Sequence, residues 1–216
     1  SITVSGQTWT TYTLDMTATT TNTGAILVFH LGGDSTENAK LYLDNISLVE
    51  VQNLLVDSDM SKSGNVASGW AKAAFNANKD GSGSVSWENA GGVDNSSCLR
   101  FDITTSGTAV NAIELMQYLQ TMEVQAGKTY RLTFDAKLTG AEDMTFGDIW
   151  LRKYDENRHL TPNTSITVSG QTWTTYTLDM TATITNTGAI LVFHLGGDST
   201  ENAMLYLDNI RLIALS

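Results

Sequence analysis

The stretch Tyr130-Arg131-Leu132-Thr133-Phe134-Asp135-Ala136-Lys137 decides the fold class. Apolar and polar side chains alternate along it, and residues two apart on a β-strand share a face. The period predicts a half-buried strand that turns Tyr130, Leu132, Phe134 and Ala136 to a core. The same alternation recurs on both sides. Leu99, Phe101 and Ile103 alternate with Arg100, Asp102 and Thr104. Ile149 and Leu151 alternate with Asp148, Trp150 and Arg152. Tyr176, Leu178 and Met180 alternate with Thr175, Thr177 and Asp179, and Leu191, Phe193 and Leu195 with Val192 and His194. Leu205 and Leu207 close the pattern. Turn signals separate the runs: Asp80-Gly81, Gly91-Gly92, Ala126-Gly127-Lys128, Ser169-Gly170 and Gly196-Gly197-Asp198. The run from Ile113 to Thr121 reads as strand rather than as a short helix. Roughly ten short strands predict an all-β chain, a β-sandwich.

Composition narrows the partners. The net charge is −11, from 12 Lys and Arg against 23 Asp and Glu. Nucleic acid and anionic membranes require clustered cations, so neither is an expected partner. No apolar run approaches the ~20 residues that span a bilayer. No signal peptide is visible, and the acidic, lysine-poor surface suits a secreted, extracellular protein. The single cysteine, Cys98, excludes an intrachain disulfide and a thiolate metal cluster. It reads as an inert strand thiol.

Residues 1–48 recur as 165–212 with three changes, Thr20/Ile184, Lys40/Met204 and Ser47/Arg211. The offset of 164 residues is far too long for a solenoid period. Residues 51–216 read as one complete module, and 1–50 as a duplicate of its C-terminal half, the tail of a preceding tandem copy. Isolated strands expose an apolar face and unpaired edges. The extra copy is therefore expected to pair, within its own chain as in a circular permutant or between chains by domain swapping. A boundary without biological meaning is the alternative. One C-terminal half is left over in either arrangement, which predicts a homo-oligomer or self-association through the repeated segment.

Several phrases then line up: Asn53-Leu54-Leu55, Gly69-Trp70, Ser97-Cys98-Leu99-Arg100-Phe101 before a strand with Gln117, and Ala126-Gly127-Lys128-Thr129-Tyr130-Arg131-Leu132-Thr133-Phe134. Val168-Ser169-Gly170-Gln171-Thr172-Trp173, Leu191-Val192-Phe193-His194-Leu195-Gly196 and Leu205-Tyr206-Leu207-Asp208-Asn209-Ile210-Arg211-Leu212 follow. In order and spacing they resemble the carbohydrate-binding modules of the family 4, 9, 16 and 22 type. The resemblance spans nearly all of 53–213. It implies a jelly-roll sandwich attached to a secreted, multimodular glycoside hydrolase, with a groove on the outer face of one sheet that holds a polysaccharide chain. Trp70 and Trp173 match framework positions of that family and read as core, as does Tyr130 by alternation.

A sugar site needs an aromatic to stack on the CH face of a ring and planar hydrogen-bonding groups beside it. With Ile149 and Leu151 facing the core, Asp148, Trp150 and Arg152 face outward together, and Trp150 is the leading platform. The resemblance adds His194 on the matching late strand. Trp87 with Glu88 is a second stacking candidate, and core packing is an equal reading for Trp87. Glu114 and Gln117 are further candidates. Xylan or a β-glucan leads as ligand, with glucomannan next. The family also implies a structural calcium at Asp208, with Asp59 and Ser61 of the opening stretch as partners; Ser61 stands where the family has a glutamate. Glu88, Glu114, Asp148 and Glu156 could be combined into a catalytic pair of carboxylates, but nothing in their spacing requires one, and no nucleophile elbow or zinc motif is present, which favours binding over catalysis. A structural or adhesive sandwich that self-associates through the repeat is the other reading.

Overall fold

A computed structural model describes residues 3–14, 16, 24–31, 39–48, 52–61, 70–156, 158–198 and 200–215, with the backbone alone for 71 and 118–122. The chain divides into two units, Ser1–Ser47 and Leu48–Ser216. The second unit carries ten strands among its described residues: β1 (Trp70–Phe75), β2 (Gly81–Glu88), β3 (Cys98–Ser106), β4 (Ile113–Val124), β5 (Thr129–Thr139), β6 (Asp143–Lys153), β7 (Thr164–Ser169), β8 (Thr174–Thr181), β9 (Asn186–His194) and β10 (Glu201–Ala214). They form two antiparallel five-stranded sheets in the orders β1-β4-β9-β6-β7 and β2-β3-β10-β5-β8. Consecutive strands alternate between sheets often enough that β9 and β10, from the end of the chain, sit centrally in one sheet each. This is the β-sandwich expected from the alternation, and Ile113 onward is a strand as read.

The inner faces meet as that alternation requires. Leu132, Phe134 and Ala136 of β5, Leu99 and Phe101 of β3, and Leu205 and Leu207 of β10 face Ile113 and Leu115 of β4, Ile149 and Leu151 of β6, and Leu191 and Phe193 of β9 in one buried core. Phe134 lies at its centre, stacked with Phe146 at 5.9 Å and Tyr176 at 5.5 Å and edge-on to Phe193 at 5.6 Å. Burying each ring removes enough apolar surface that truncation to Ala would cost about 3–5 kcal/mol. Trp70 and Tyr130 are buried in this core. Trp173 is not: it is half-buried outside β8, edge-on to Tyr206 at 6.4 Å, with Lys137 Nζ 4.9 Å from its ring. It precedes the strand rather than continuing its alternation. Cys98 is fully buried, and burial pushes its thiol up to about 11, which keeps it protonated and unreactive.

Two backbone devices shape the sheets. Gly83, at φ 153°, sits at the register shift between β2 and β3; a Cβ there would meet the Asp102 carbonyl oxygen. In β10 the pairing with β5 shifts between Asp208 and Arg211, and Asn209 takes φ 49° in that bulge. The opening segment is tied to this end of β10. Asn53 Oδ1 accepts from Leu55 N at 3.1 Å and from Leu212 N at 3.0 Å, Leu54 N donates to Leu212 O at 2.8 Å, and Ile210 N donates to Ser58 O at 2.8 Å.

The first unit contains no strand or helix among its described residues, all of which are exposed. It nevertheless repeats local geometry of its copy. Ser5 N donates to Tyr12 Oη at 3.3 Å, as Ser169 N does to Tyr176 Oη at 3.0 Å. Asn45 takes φ 51° and donates to Asp44 Oδ1 at 2.8 Å, as Asn209 at φ 49° does to Asp208 Oδ1 at 2.7 Å.

Candidate functional site

The outer face of the β1-β4-β9-β6-β7 sheet carries transverse rows, because cross-strand partners on one face stand side by side. Glu114 of β4 and Asp148 of β6 both pair with His194 of β9. His194 Nε2 lies 3.3 Å from Glu114 Oε1, and Nδ1 lies 3.5 Å from Asp148 Oδ2, outside hydrogen-bond geometry. Lys72 of β1 donates to Glu114 Oε2, and Asn163 Nδ2 donates to Asp148 Oδ1 at 2.9 Å. The polar row Lys72–Glu114–His194–Asp148–Asn163 thus crosses the sheet. Burial alone would raise the Glu114 pKa; hydrogen bonds from His194 and Lys72 outweigh it and hold the carboxyl below its ordinary range.

The next row is apolar: Met116, Val192 and Trp150, cross-strand neighbours that form a small buried cluster with Ile190, separate from the main core. Trp150 therefore faces outward as expected, but it is only 3% exposed and is no open platform. The chain after β6 doubles back, with Arg152 bridged to His159 and Leu160 N donating to Leu151 O at 2.8 Å. This return lays the His159 ring parallel to Trp150, at 5.1 Å and 9°, while His194 meets the indole edge-on at 4.5 Å. Arg152 also faces outward, its Nη2 3.8 Å from Met116 Sδ. Among the described residues, neither Trp150 Nε1 nor His194 Nδ1 has a hydrogen-bond partner. Buried polar atoms left so cost about 1–3 kcal/mol each, unless water or a ligand meets them.

Three sequence candidates lie elsewhere. Gln117 points inward and clamps the opening segment, accepting from Val56 N at 2.9 Å and donating to Val56 O at 2.8 Å, so its amide is structural. Trp87 and Glu88 belong to the other sheet: Trp87 packs against the main core, and Glu88 accepts from Ser86 Oγ at 2.9 Å and lies 3.5 Å from Arg100. They do not join Trp150. Lys72 and Asn163, which complete the row, and His159, which covers Trp150, were not read from the sequence. Lys72 sits on a strand too short to show a period, and the other two lie in a return loop that has none.

The other sheet carries its own outer row. Tyr206 of β10 stands opposite Arg100 of β3 and Lys137 of β5. Lys137 Nζ lies 4.4 Å from the Tyr206 ring and Arg100 Cζ 5.8 Å from it, next to Trp173. Both rings are half-buried.

Asp208 is fully buried on β10. Its Oδ2 accepts from Val93 N at 2.9 Å and Ser96 Oγ at 2.7 Å, and its Oδ1 from Asn209 N at 2.7 Å. Burial raises its pKa against the pull of these donors. Ser61 Oγ donates to Asp57 Oδ1 at 3.2 Å and Ser61 N to Asp59 Oδ1 at 3.3 Å. Calcium takes about six to eight oxygens, and among the described residues no three His, Cys, Asp or Glu gather as a metal-binding group. Asp208, facing hydrogen-bond donors, does not fit a calcium ligand in this arrangement.

No family model matches the chain, and no curated protein matches it. Solved structures do. A family 4 carbohydrate-binding module (CBM4) aligns with TM-score 0.54 at 17% identity, over 74% of this chain and 99% of its own. The CBM22-1 xylan-binding domain of Paenibacillus barcinonensis Xyn10C aligns with TM-score 0.52 at 14% identity, over 79% and 99%. The arabinose-bound α-L-arabinofuranosidase MgGH51 aligns with TM-score 0.56 at 14% identity over 75% of this chain, which spans only 26% of that enzyme. At these identities the likeness is one of fold: the second unit is a β-jelly-roll sandwich of the kind found in carbohydrate-binding modules.

Proposed function

We propose that the sandwich binds a neutral polysaccharide chain without cleaving it, along the outer face of the β1-β4-β9-β6-β7 sheet. The observation that carries this reading is the polar row beside an indole, with the Trp150 Nε1 and His194 Nδ1 atoms lacking hydrogen-bond partners among the described residues. Sugar hydroxyls supply the donors and acceptors such atoms need, and the CH face of a ring suits the indole once His159 swings aside. Xylan and β-glucan are the leading ligands and glucomannan the next; the likeness to a xylan-binding domain supports that order. The role suits a secreted module that targets an attached glycoside hydrolase.

Catalysis is disfavoured by the row itself. Glu114 and Asp148 are the carboxylates that could face each other across a glycosidic bond, and the His194 imidazole stands between them. A glycosidase pair instead leaves the space between its carboxylates to a water or the glycosidic oxygen. Calcium at Asp59 and Ser61 rests on the family resemblance alone; a rise in Tm on adding calcium, reversed by EDTA, supports it, and an unchanged Tm removes it.

The second reading places the glycan on the other sheet, over Tyr206 and Trp173, because these rings are half-buried whereas Trp150 is covered. Affinity electrophoresis in xylan, mixed-linkage glucan and glucomannan gels, with a cellulose pull-down, tests both. His194→Ala is expected to weaken retardation about tenfold, or ~1.4 kcal/mol, and Tyr206→Ala to leave it unchanged; the reverse pattern favours the second face. Release of reducing sugars from any of these glycans would overturn the non-catalytic reading.

A further inference from the structure

The outer face of the β2-β3-β10-β5-β8 sheet carries a row whose donors outnumber its acceptors. Arg100 of β3, Tyr206 of β10 and Lys137 of β5 stand side by side as cross-strand partners. Trp173, just before β8, lies edge-on to Tyr206 and ends the row. Lys137 Nζ sits over both rings, 4.4 Å from the Tyr206 centroid and 4.9 Å from that of Trp173. A ring face attracts an ammonium through its quadrupole and leaves the charge in place. The two cations of the row therefore differ. Arg100 is met by carboxylates: its Nε donates to Asp102 Oδ1 at 2.9 Å, and its Nη1 lies 3.5 Å from Glu88 Oε1. Lys137 has no ion-pair partner among the described residues. Asp135, two residues along β5, accepts from Asn209 Nδ2 at 2.8 Å and from Thr175 Oγ1 instead.

The neutral donors of the row are also unspent. Tyr206 Oη donates to Met204 Sδ at 3.7 Å, and a thioether is a weak acceptor. Trp173 Nε1, which can only donate, has no acceptor among the described residues. Both rings and Lys137 are half-buried, so a ligand can reach all three. An ammonium, a phenol and an indole N–H together suit a ligand rich in acceptors and negatively charged. A uronic acid residue has that composition: a carboxylate for the ammonium, hydroxyls for the phenol and CH groups for the ring edges. A neutral sugar leaves the Lys137 charge unused and finds one face of each ring already taken by the ammonium. The net charge of −11 repels a polyanion, so the row suits a carboxylate borne singly on a neutral chain rather than a densely charged polymer. We infer that the row Arg100–Tyr206–Lys137–Trp173 is a second saccharide site, distinct from the Trp150 and His194 face, and that it takes a uronic acid residue by its carboxylate. The saccharide rests on the proposed function above; the carboxylate rests on Lys137.

Titration calorimetry of the full chain with two probes tests this. One is a xylo-oligosaccharide carrying a single glucuronic acid side group; the other is the same oligosaccharide with that carboxyl reduced to the alcohol. The parent is expected to bind the acidic probe about tenfold more tightly than the reduced one. Lys137→Met keeps an apolar stem between the rings and is expected to abolish that gain, with the reduced probe unaffected. Lys137→Arg keeps the charge and is expected to keep most of the gain. His194→Ala is expected to weaken the reduced probe and to leave the Lys137-dependent affinity for the acidic one. Equal affinity of the parent for the two probes, or a gain that survives Lys137→Met, overturns this inference and leaves the neutral-glycan reading standing. Binding of the acidic probe alone overturns the neutral-glycan reading instead, and binding of neither overturns both.

Discussion

Glu114 carries the pH dependence of the outer sheet face. Its folded pKa is depressed, because hydrogen bonds from His194 and Lys72 outweigh burial. A depressed carboxyl contributes stability above its unfolded pKa of ~4.3 and loses it as pH falls through the folded value. Asp208 has the opposite sign: burial raises its pKa, so it destabilises the fold as pH rises through the range above its unfolded value of ~3.9. Denaturant melts between about pH 2 and 6 should show Glu114→Gln flattening the acid loss of stability, while the parent retains it. Gln117 makes a residue-scale prediction of another kind. Its amide is the partner of both Val56 backbone groups, so Gln117→Leu should lower stability by about 2–3 kcal/mol in urea titration without altering glycan retardation. That role was hidden in the sequence because a polar residue on the inner side of a strand reads as a surface residue with the register shifted by one. The outward side of Glu114, Asp148 and His194, by contrast, follows from their apolar neighbours, which fix the register.

At the scale of elements, alternation made the strands legible, and it made the loops illegible. The inward set on β3, β5, β6, β9 and β10 is the one the period assigns. The covered state of Trp150 depends on the return from Lys153 to Leu160, where no period operates and where backbone bonds such as Leu160 N to Leu151 O set the path. Trp173 escaped for a related reason: it lies in the turn before β8, so neither face of the strand claims it. The return makes its own prediction. His159→Ala should uncover the indole of Trp150, seen as stronger acrylamide quenching and a red shift of tryptophan emission, while glycan retardation is kept or increased. Loss of retardation would mean that His159 itself touches the sugar.

At the scale of the whole molecule, the duplicated third shows how little of a β-structure resides in its own sequence. Nearly identical segments repeat their local hydrogen bonds and left-handed asparagine in both places, yet among the described residues only the second copy forms strands. Strand pairing and burial are nonlocal, so a segment's sequence does not by itself say whether that segment forms strands. The chain's charge adds a prediction for the complete protein. At −11 it offers a neutral glycan no long-range attraction, so retardation in xylan should hold between about 50 and 500 mM NaCl. The most direct test of binding on the outer β1-β4-β9-β6-β7 face is titration calorimetry with xylo-oligosaccharide on the parent, His194→Ala and Tyr206→Ala, each first shown to melt like the parent. A loss of about tenfold in affinity for His194→Ala alone is the predicted result, and unchanged binding by His194→Ala with loss by Tyr206→Ala would contradict it.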